Sequence, residues 1–557
     1  MLAAANCEVA FDSLTRQLYA TDASLYQIEP VDVAFHQNTR QAIAVVEAAA
    51  HAGLSIIPRG AGTGLAGGAV GEGVIIDFSR CNRHIWDLDV EQRTVRVGAG
   101  VILDQLNAFL RPHGFCFGPD VATSARATIG GMIANNSSGA HTPLYGTTAD
   151  HVTELDIVMA DGRLTKVGPG QGSLPQQRDL LENLHLFNHL CIAERWPPGL
   201  CKRWPGYGLN RLTDNPTNLI HVLAGSEGTL AAIASAQLRI VPTPDEIGLC
   251  LIFFDSTAEA LQAAIEVLDL NPSAVEHMDR LLLDQTRGKR EFQVARDLIE
   301  FDAAPCESVL AVEFYENVEP RLEALQKRRL GTRTKVMQTL AEVTHVWALR
   351  KAGLSLLTSR KGDAKPVACV EDTAVMPKDL PAYCGAIQSL MRRLGLEASF
   401  YGHAASGLLH VRPVIDLHTA EGAKKFRQVT EEMAALVRQF RGSFSAEHGV
   451  GIARTEFLKG QVGDDLHLMM RQIKDSFDPH HVFNPGKIIA DDRYRLDTHL
   501  RITPGQPLKL PFEPVLAFAD RDESFVRNLE QCNGCGGCRK ETPTMCPTFI
   551  ATGRRWT

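Results

Sequence analysis

The sequence predicts an α+β protein built from two large units and a short cysteine-rich C-terminal segment. Three observations carry that expectation. Within residues 1–245, short β-rich runs are interrupted by loops dense in glycine, alanine and small polar residues. From about residue 246 to about 490, strand-like runs such as Leu249–Phe254 alternate with helical ones such as Thr257–Leu268. A proline-rich linker, Pro504 to Pro514, then precedes four cysteines between Cys532 and Cys546. A chain of 557 residues exceeds what one hydrophobic core organises, which fits a division into 1–245, 246–495 and 496–557.

The elements of the first unit follow in order. Residues 1–30 read as a helical lead-in closing at Glu29-Pro30, and a helix is expected from about Thr39 to Ala52. A β-rich run, Leu54–Pro58, leads into the first glycine loop, and strands are expected at Val74–Phe78 and Thr94–Val97. A second small-residue loop covers Ala127–Gly139, strands follow at Glu154–Met159 and Leu238–Val241, and Pro242-Thr-Pro244 marks the boundary.

Bulk properties narrow the function. Lys and Arg total 57 against 65 Asp and Glu, a formal charge of −8, which argues against nucleic acid as a partner. No apolar run approaches the ~18 residues that span a bilayer, and the N-terminus lacks a basic start and apolar core, so neither a membrane span nor a signal peptide is expected. Thirteen cysteines, an odd number with nine scattered singly from Cys7 to Cys384, suit a reducing, cytoplasmic compartment better than a disulfide framework.

Gly62-Thr-Gly-Leu-Ala-Gly67 matches the dinucleotide fingerprint GxGxxG after a strand. A Rossmann unit needs a helix to start at the third glycine. Gly68, Gly71 and Gly73 follow too closely for one, and a strand begins at Val74. The segment is therefore strand–loop–strand. Its backbone amides, free of Cβ atoms, suit a pyrophosphate better than a merely flexible turn would explain. The second loop and Ala224-Gly-Ser-Glu-Gly-Thr229 repeat the chemistry.

Together the three loops resemble the FAD-binding domain of the vanillyl-alcohol oxidase superfamily, the PCMH-type fold of two subdomains, over about residues 30–245. The resemblance implies FAD contacts from Arg59, Gly60, Gly62, Thr63, Gly64 and Leu65 in the first loop. It implies further contacts from Pro119, Asp120, Thr123, Thr128, Gly130, Gly131, Asn135, Ser138 and Gly139, then from Glu227, Gly228 and Ile233, with Asn484 added from the second unit. Some relatives attach FAD through a histidine in the first loop; none stands there, so noncovalent FAD is expected.

In the second unit, Gly402-His-Ala-Ala-Ser-Gly-Leu-Leu-His410-Val-Arg-Pro413 and Ser445-Ala-Glu-His-Gly-Val-Gly451 hold two imidazoles and a carboxylate, a ligand set for a divalent metal such as Zn, Mn or Fe(II). On a straight strand His403 and His410 fall on opposite faces, and Gly407 offers the turn that reunites them. Two histidines alone are commonly structural; Glu447-His448 between small residues tips the balance toward a site. These motifs look like those of the D-2-hydroxyglutarate and D-lactate dehydrogenase branch of the superfamily, with further matches at Tyr19–Tyr26, Trp347–Arg350, Glu371–Val375 and Asn484–Lys487.

The resemblance implies His403, His410 and Glu447 as metal ligands, His448 as general base and Arg350 and Arg412 as carboxylate clamps. The reaction implied is oxidation of a D-2-hydroxy acid, D-2-hydroxyglutarate favoured and D-lactate next, to the 2-oxo acid, with hydride passing to flavin N5. Two departures stand out. Arg412 occupies a place where many relatives have asparagine, and a substrate-binding lysine of some relatives has no counterpart in Pro366–Val370. Both point to the bacterial subgroup that fuses the flavin unit to an iron–sulfur module, where a second arginine replaces the lysine.

Cys532, Cys535, Cys538 and Cys546-Pro547 give C-x2-C-x2-C-x7-C-P, the spacing of a ferredoxin-like 4Fe–4S motif; structural zinc and an unliganded tail are the alternatives. No second cysteine group follows before Thr557. The expectation is a truncated module, as from a split gene or premature stop, holding an incomplete cluster. The implied partners are a small 2-hydroxy acid, a quinone or electron-transfer protein as acceptor, and the missing iron–sulfur half; the oligomeric state stays open. Two other readings compete. One is a sugar or alcohol oxidase or NADPH-linked reductase of the same FAD fold, against which the His403/His410/Glu447 cluster argues. The other is a noncatalytic electron-transfer or scaffold subunit, which dye-linked turnover would exclude.

Overall fold

The structure, a computed structural model, describes residues 6–537 except 170–171, 370, 507, 509, 511, 516–517, 519–522, 533 and 535. The first unit holds two sheets. In a four-stranded sheet, Asp32–Phe35, Val74–Asp77 and Ile56–Arg59 run parallel, with Glu8–Ala10 antiparallel at one edge. In a five-stranded antiparallel sheet, Ala232–Arg239 lies centrally between Thr94–Gly98 and Val152–Val158. The first glycine loop connects the parallel neighbours Ile56–Arg59 and Val74–Asp77, so the strand–loop–strand expectation holds.

Two local expectations need correction. The lead-in is not simply helical: a strand, Glu8–Ala10, precedes a short helix, Ser13–Tyr19, capped by the Asp12 carboxylate. The second loop contains a helix, Ile129–Asn135, despite paired glycines. Thr128 caps it by accepting from the Gly131 amide at 3.3 Å, and Asn136 ends it in the left-handed region. The glycines are there for contact: a Cβ on Gly130 would sit 2.6 Å from the Ala99 Cβ.

The second unit is an eight-stranded antiparallel sheet in the order Arg333–Val336, Gly248–Phe254, Ser308–Phe314, Ala274–Asp279, Ala398–His403, Leu408–Ile415 and Lys365–Pro366, with Asp372–Ala374 also pairing with Leu408–Ile415. Its strands are buried on both faces because helices cover them, which is why they read as continuous apolar runs rather than alternating ones. Among the described residues no helix is long and apolar enough to cross a membrane. Cys535, Cys538 and Cys546 lie outside the described residues; Cys532 is an exposed free thiol just beyond the helix Phe525–Glu530.

Candidate active site

Sheet register explains how residues far apart in sequence converge. Ala398–His403 and Leu408–Ile415 form a hairpin through Ala404–Ser406 and Gly407, whose φ of +72° few other residues adopt. Tyr401 pairs directly with His410, and residues two apart share a face, so Tyr401, His403, His410 and Arg412 all project from one side of the sheet. On the next strand Glu276 stands opposite His403. The turn expected at Gly407 is therefore what reunites the two histidines.

Each imidazole is oriented from behind. Glu276 Oε1 lies 2.7 Å from His403 Nδ1, and Glu371 Oε2 lies 3.4 Å from His410 Nδ1. Both Nε2 atoms therefore face Glu447, at 3.4 Å for His403 and 3.7 Å for His410. The three side chains offer ligand atoms all within 4.8 Å of one another, and carboxylate-backed imidazoles are the usual support of a metal site, so the donor set fits a divalent cation. Burial holds His410 neutral, its pKa lowered to about 3, as a ligand must be. Burial alone would raise the Glu447 carboxyl, but the Lys202 ammonium and His403 hold it well below the usual range.

The loop carrying Glu447 and His448 is fixed by backbone bonds. Both amides donate to Asp372 Oδ2, at 2.8 and 2.6 Å, and Arg454 pairs with the other oxygen of Asp372 at 2.6 Å. Val450 and Gly451 amides donate to Glu227 at 2.7 and 2.8 Å, tying this loop to the third glycine loop. His448 stacks on His410 with ring centres 5.2 Å apart, and its Nδ1 lies 2.5 Å from Glu371 Oε1, so its Nε2 is the atom left for chemistry. A second grouping, Glu371, His410 and His448, also has metal-ligand spacing. Its contacts are the Glu371 hydrogen bond to His448 and the 3.4 Å approach of Glu371 to His410 that orient the two histidines, so it is read as support for the first group.

A single cavity joins these residues to the glycine loops. Arg59, Gly60, Gly62, Thr63, Gly64, Leu65, Asp120, Thr123, Thr128, Gly130, Gly131, Asn135, Ser138, Gly139, Glu227, Gly228 and Ile233 line one part. Arg350, His403, His410, Arg412, Glu447 and His448 line another. A Cβ on Gly64 would meet only Asn135 Nδ2, at 3.7 Å, and one on Gly68 nothing within 4 Å, so this backbone faces open space of the kind a dinucleotide fills. The loops thus fit FAD.

Two residues expected at the cofactor do not line the cavity. Pro119 is absent from its wall, and Asn484 lies behind the loops, donating to the Gly68 and Glu227 carbonyls at 2.9 Å each. The Arg59 guanidinium is turned onto the carbonyls of Tyr19, Thr21 and Ala69, bracing the loop. Arg350 and Arg412 are buried against Glu276 at 2.6 Å and Glu371 at 3.2 Å.

Other site residues escaped the sequence reading. Lys202, its side chain 0% exposed, reaches Glu447, Ser138 Oγ at 3.2 Å, the Gly139 carbonyl at 2.8 Å and Thr142 Oγ1 at 2.7 Å, tying the second glycine loop to the carboxylate. His141 bridges the two units, with Nδ1 3.1 Å from Asp120 and Nε2 2.6 Å from Glu313, which also accepts from Trp347 Nε1 at 2.6 Å. Burial alone would lower the His141 pKa, but the two carboxylates outweigh it and raise it to about 10.

A folded-state pKa above the unfolded value of ~6.5 means the charged bridge stabilises the fold fully below about pH 6.5 and is lost as pH rises through about 10. His141→Gln is therefore expected to cost ~3–5 kcal/mol at acidic to neutral pH, with the gap narrowing in alkaline buffer. Thermal melts of both proteins across that range check it; a gap independent of pH would refute it.

Residues 30–168 match the FAD binding domain family, and residues 243–488 match the C-terminal domain of FAD linked oxidases. The chain is 31% identical to a D-2-hydroxyglutarate dehydrogenase of Haemophilus influenzae over 98% of its own length and 56% of the relative's, and 32% identical to one of Escherichia coli over 97% and 56%. It thus spans little more than half the length of these curated relatives. It is 28% identical to a D-lactate dehydrogenase of Archaeoglobus fulgidus, covering 81% of this chain and 90% of that one. Among solved structures, p-cresol methylhydroxylase superposes with a TM-score of 0.64 at 15% identity, over 87% of this chain and 94% of that one. That likeness shows the PCMH-type fold.

Proposed function

Because the chain belongs to the family of FAD-linked oxidases, we propose that it is an FAD- and divalent-metal-dependent dehydrogenase acting on a D-2-hydroxy acid, with D-2-hydroxyglutarate favoured and D-lactate next. The observation that carries this reading is the convergence of His403, His410, Glu447 and His448 on the cavity that the glycine loops also line. The names of the relatives support the substrate class.

The two glycine-loop systems and Glu227–Gly228 would hold FAD, and His403, His410 and Glu447 would hold the cation. When bound, FAD supplies the acceptor for the hydride leaving C2, and the cation acidifies the substrate hydroxyl. The chain's own side chains do the rest. His448 accepts the hydroxyl proton at Nε2 while Glu371 holds Nδ1 and favours the imidazolium that results. Buried Arg350 and Arg412 bind carboxylate and fix the face of C2 presented to the flavin, which selects the D-enantiomer. Their Nε atoms make no hydrogen bond within the protein, so a donor on each remains for a ligand, while Arg350 Nη2 is held by Glu276 at 2.6 Å.

Electrons leave, in this reading, through an iron–sulfur segment beginning at Cys532 toward a quinone or electron-transfer protein. The odd count of thirteen cysteines, nine of them scattered singly, supports a reducing, cytoplasmic setting. Dye-linked assays test the function. D-2-hydroxyglutarate or D-lactate, and not the L-acids, is expected to reduce dichlorophenolindophenol with one 2-oxo acid formed per dye. Turnover of a sugar with peroxide release, or of NADPH, with the D-acids inert, would overturn the reading.

A further inference from the structure

The wall from the helix Leu340–Lys351 contributes Trp347, Arg350 and Lys351 to the cavity, with Leu354 following on the same stripe. The charges on this wall are not equivalent. Arg350 is already offset by Glu276 at 2.6 Å, and Arg412 on the opposing sheet by Glu371 at 3.2 Å; all four side chains are buried. Arg59 is engaged by backbone carbonyls. Lys351 is exposed and, among the described residues that line the cavity, is the Lys or Arg side chain with no hydrogen bond or ion pair; the charge it acts on is Asp120.

A monocarboxylic 2-hydroxy acid brings one negative charge to this cavity and a dicarboxylic acid brings two. The buried arginines and the metal-site side chains can serve the C1 carboxylate, and a second carboxylate needs a cation not already compensated. A flexible ammonium near the solvent-facing part of the wall can meet it without the desolvation that a further buried charge would require. We infer that Lys351 is the specificity-determining residue that pairs with the distal carboxylate, so that the site selects dicarboxylic over monocarboxylic D-2-hydroxy acids. The inference rests on the dehydrogenase reading for its substrate class.

The test compares the FAD-loaded protein with Lys351→Gln, Lys351→Glu and Lys351→Arg, reading the ratio of kcat/KM for D-2-hydroxyglutarate to that for D-2-hydroxybutyrate. A charge-assisted bond in this range predicts a ratio about 10-fold lower in Lys351→Gln, lower again in Lys351→Glu and restored in Lys351→Arg. An unchanged ratio, equal losses for both acids, or loss of FAD in place of lost discrimination would overturn it. A second readout needs no turnover: perturbation of the flavin spectrum by glutarate and butyrate. Tighter glutarate binding that Lys351→Gln abolishes supports the inference, and equal binding of the two acids to the unaltered protein sinks it. Failure of every D-acid to reduce the flavin, with glutarate still preferred, would instead sink the dehydrogenase reading alone.

Discussion

His448→Gln is expected to lower kcat for the preferred D-acid by roughly 10²–10⁴-fold, the usual contribution of a positioned general base, while FAD and metal content stay unchanged. The amide keeps a polar group near Glu371 but accepts no proton from the substrate at neutral pH. The loop itself survives, because Asp372 holds it through the backbone amides of Glu447 and His448 and not through the imidazole. Rapid-mixing measurement of flavin reduction reads the chemical step directly. A variant that reduces its flavin at the original rate would remove His448 from the reaction.

Glu447→Gln is expected to be at least as damaging, for a different reason. It replaces the one carboxylate of the proposed ligand set with a neutral, weaker donor, while Lys202 keeps an acceptor at the same place. Glu447→Ala would confound the result, since it leaves the buried Lys202 ammonium without an acceptor as well as without its counter-charge, at ~3–5 kcal/mol of stability. With the isosteric change, bound divalent metal should fall to background and kcat by about 10³-fold or more, with FAD content near that of the parent and a smaller loss of thermal midpoint than in Glu447→Ala. Metal retained in full by Glu447→Gln would show that the cation sits elsewhere.

The parts of this arrangement that were legible in the sequence are those whose chemistry is local. Glycine density after Arg59 excluded a helix at Gly67 and so excluded the Rossmann reading, and the loop does run between two strands. Gly407 between two histidines announced a hairpin, and a hairpin is present. What escaped depends on register and long-range pairing. Glu276 lies 127 residues from His403 yet orients it, because the two stand opposite each other on neighbouring strands. Lys202 and Glu447, 245 residues apart, meet only once the units close on each other. His141 sits in an unremarkable run of sequence and becomes a bridge when Glu313 and Trp347 arrive from the second unit.

The helix Ile129–Asn135 was missed because two adjacent glycines argue against helix by propensity, whereas the cap at Thr128 and packing on Ala99 decide for it. Asn484, expected at the cofactor, donates to the Gly68 and Glu227 carbonyls and so fixes the backbone of residues that line the cavity.

The most direct test of the central claim is anaerobic loss of the oxidised flavin's visible absorbance on adding D-2-hydroxyglutarate, then D-lactate, then the L-enantiomers, before and after EDTA treatment. The account predicts bleaching by a D-acid and not its L-form, abolished by EDTA and restored by a divalent metal. Oxidised flavin throughout, with FAD and metal both bound, would contradict it.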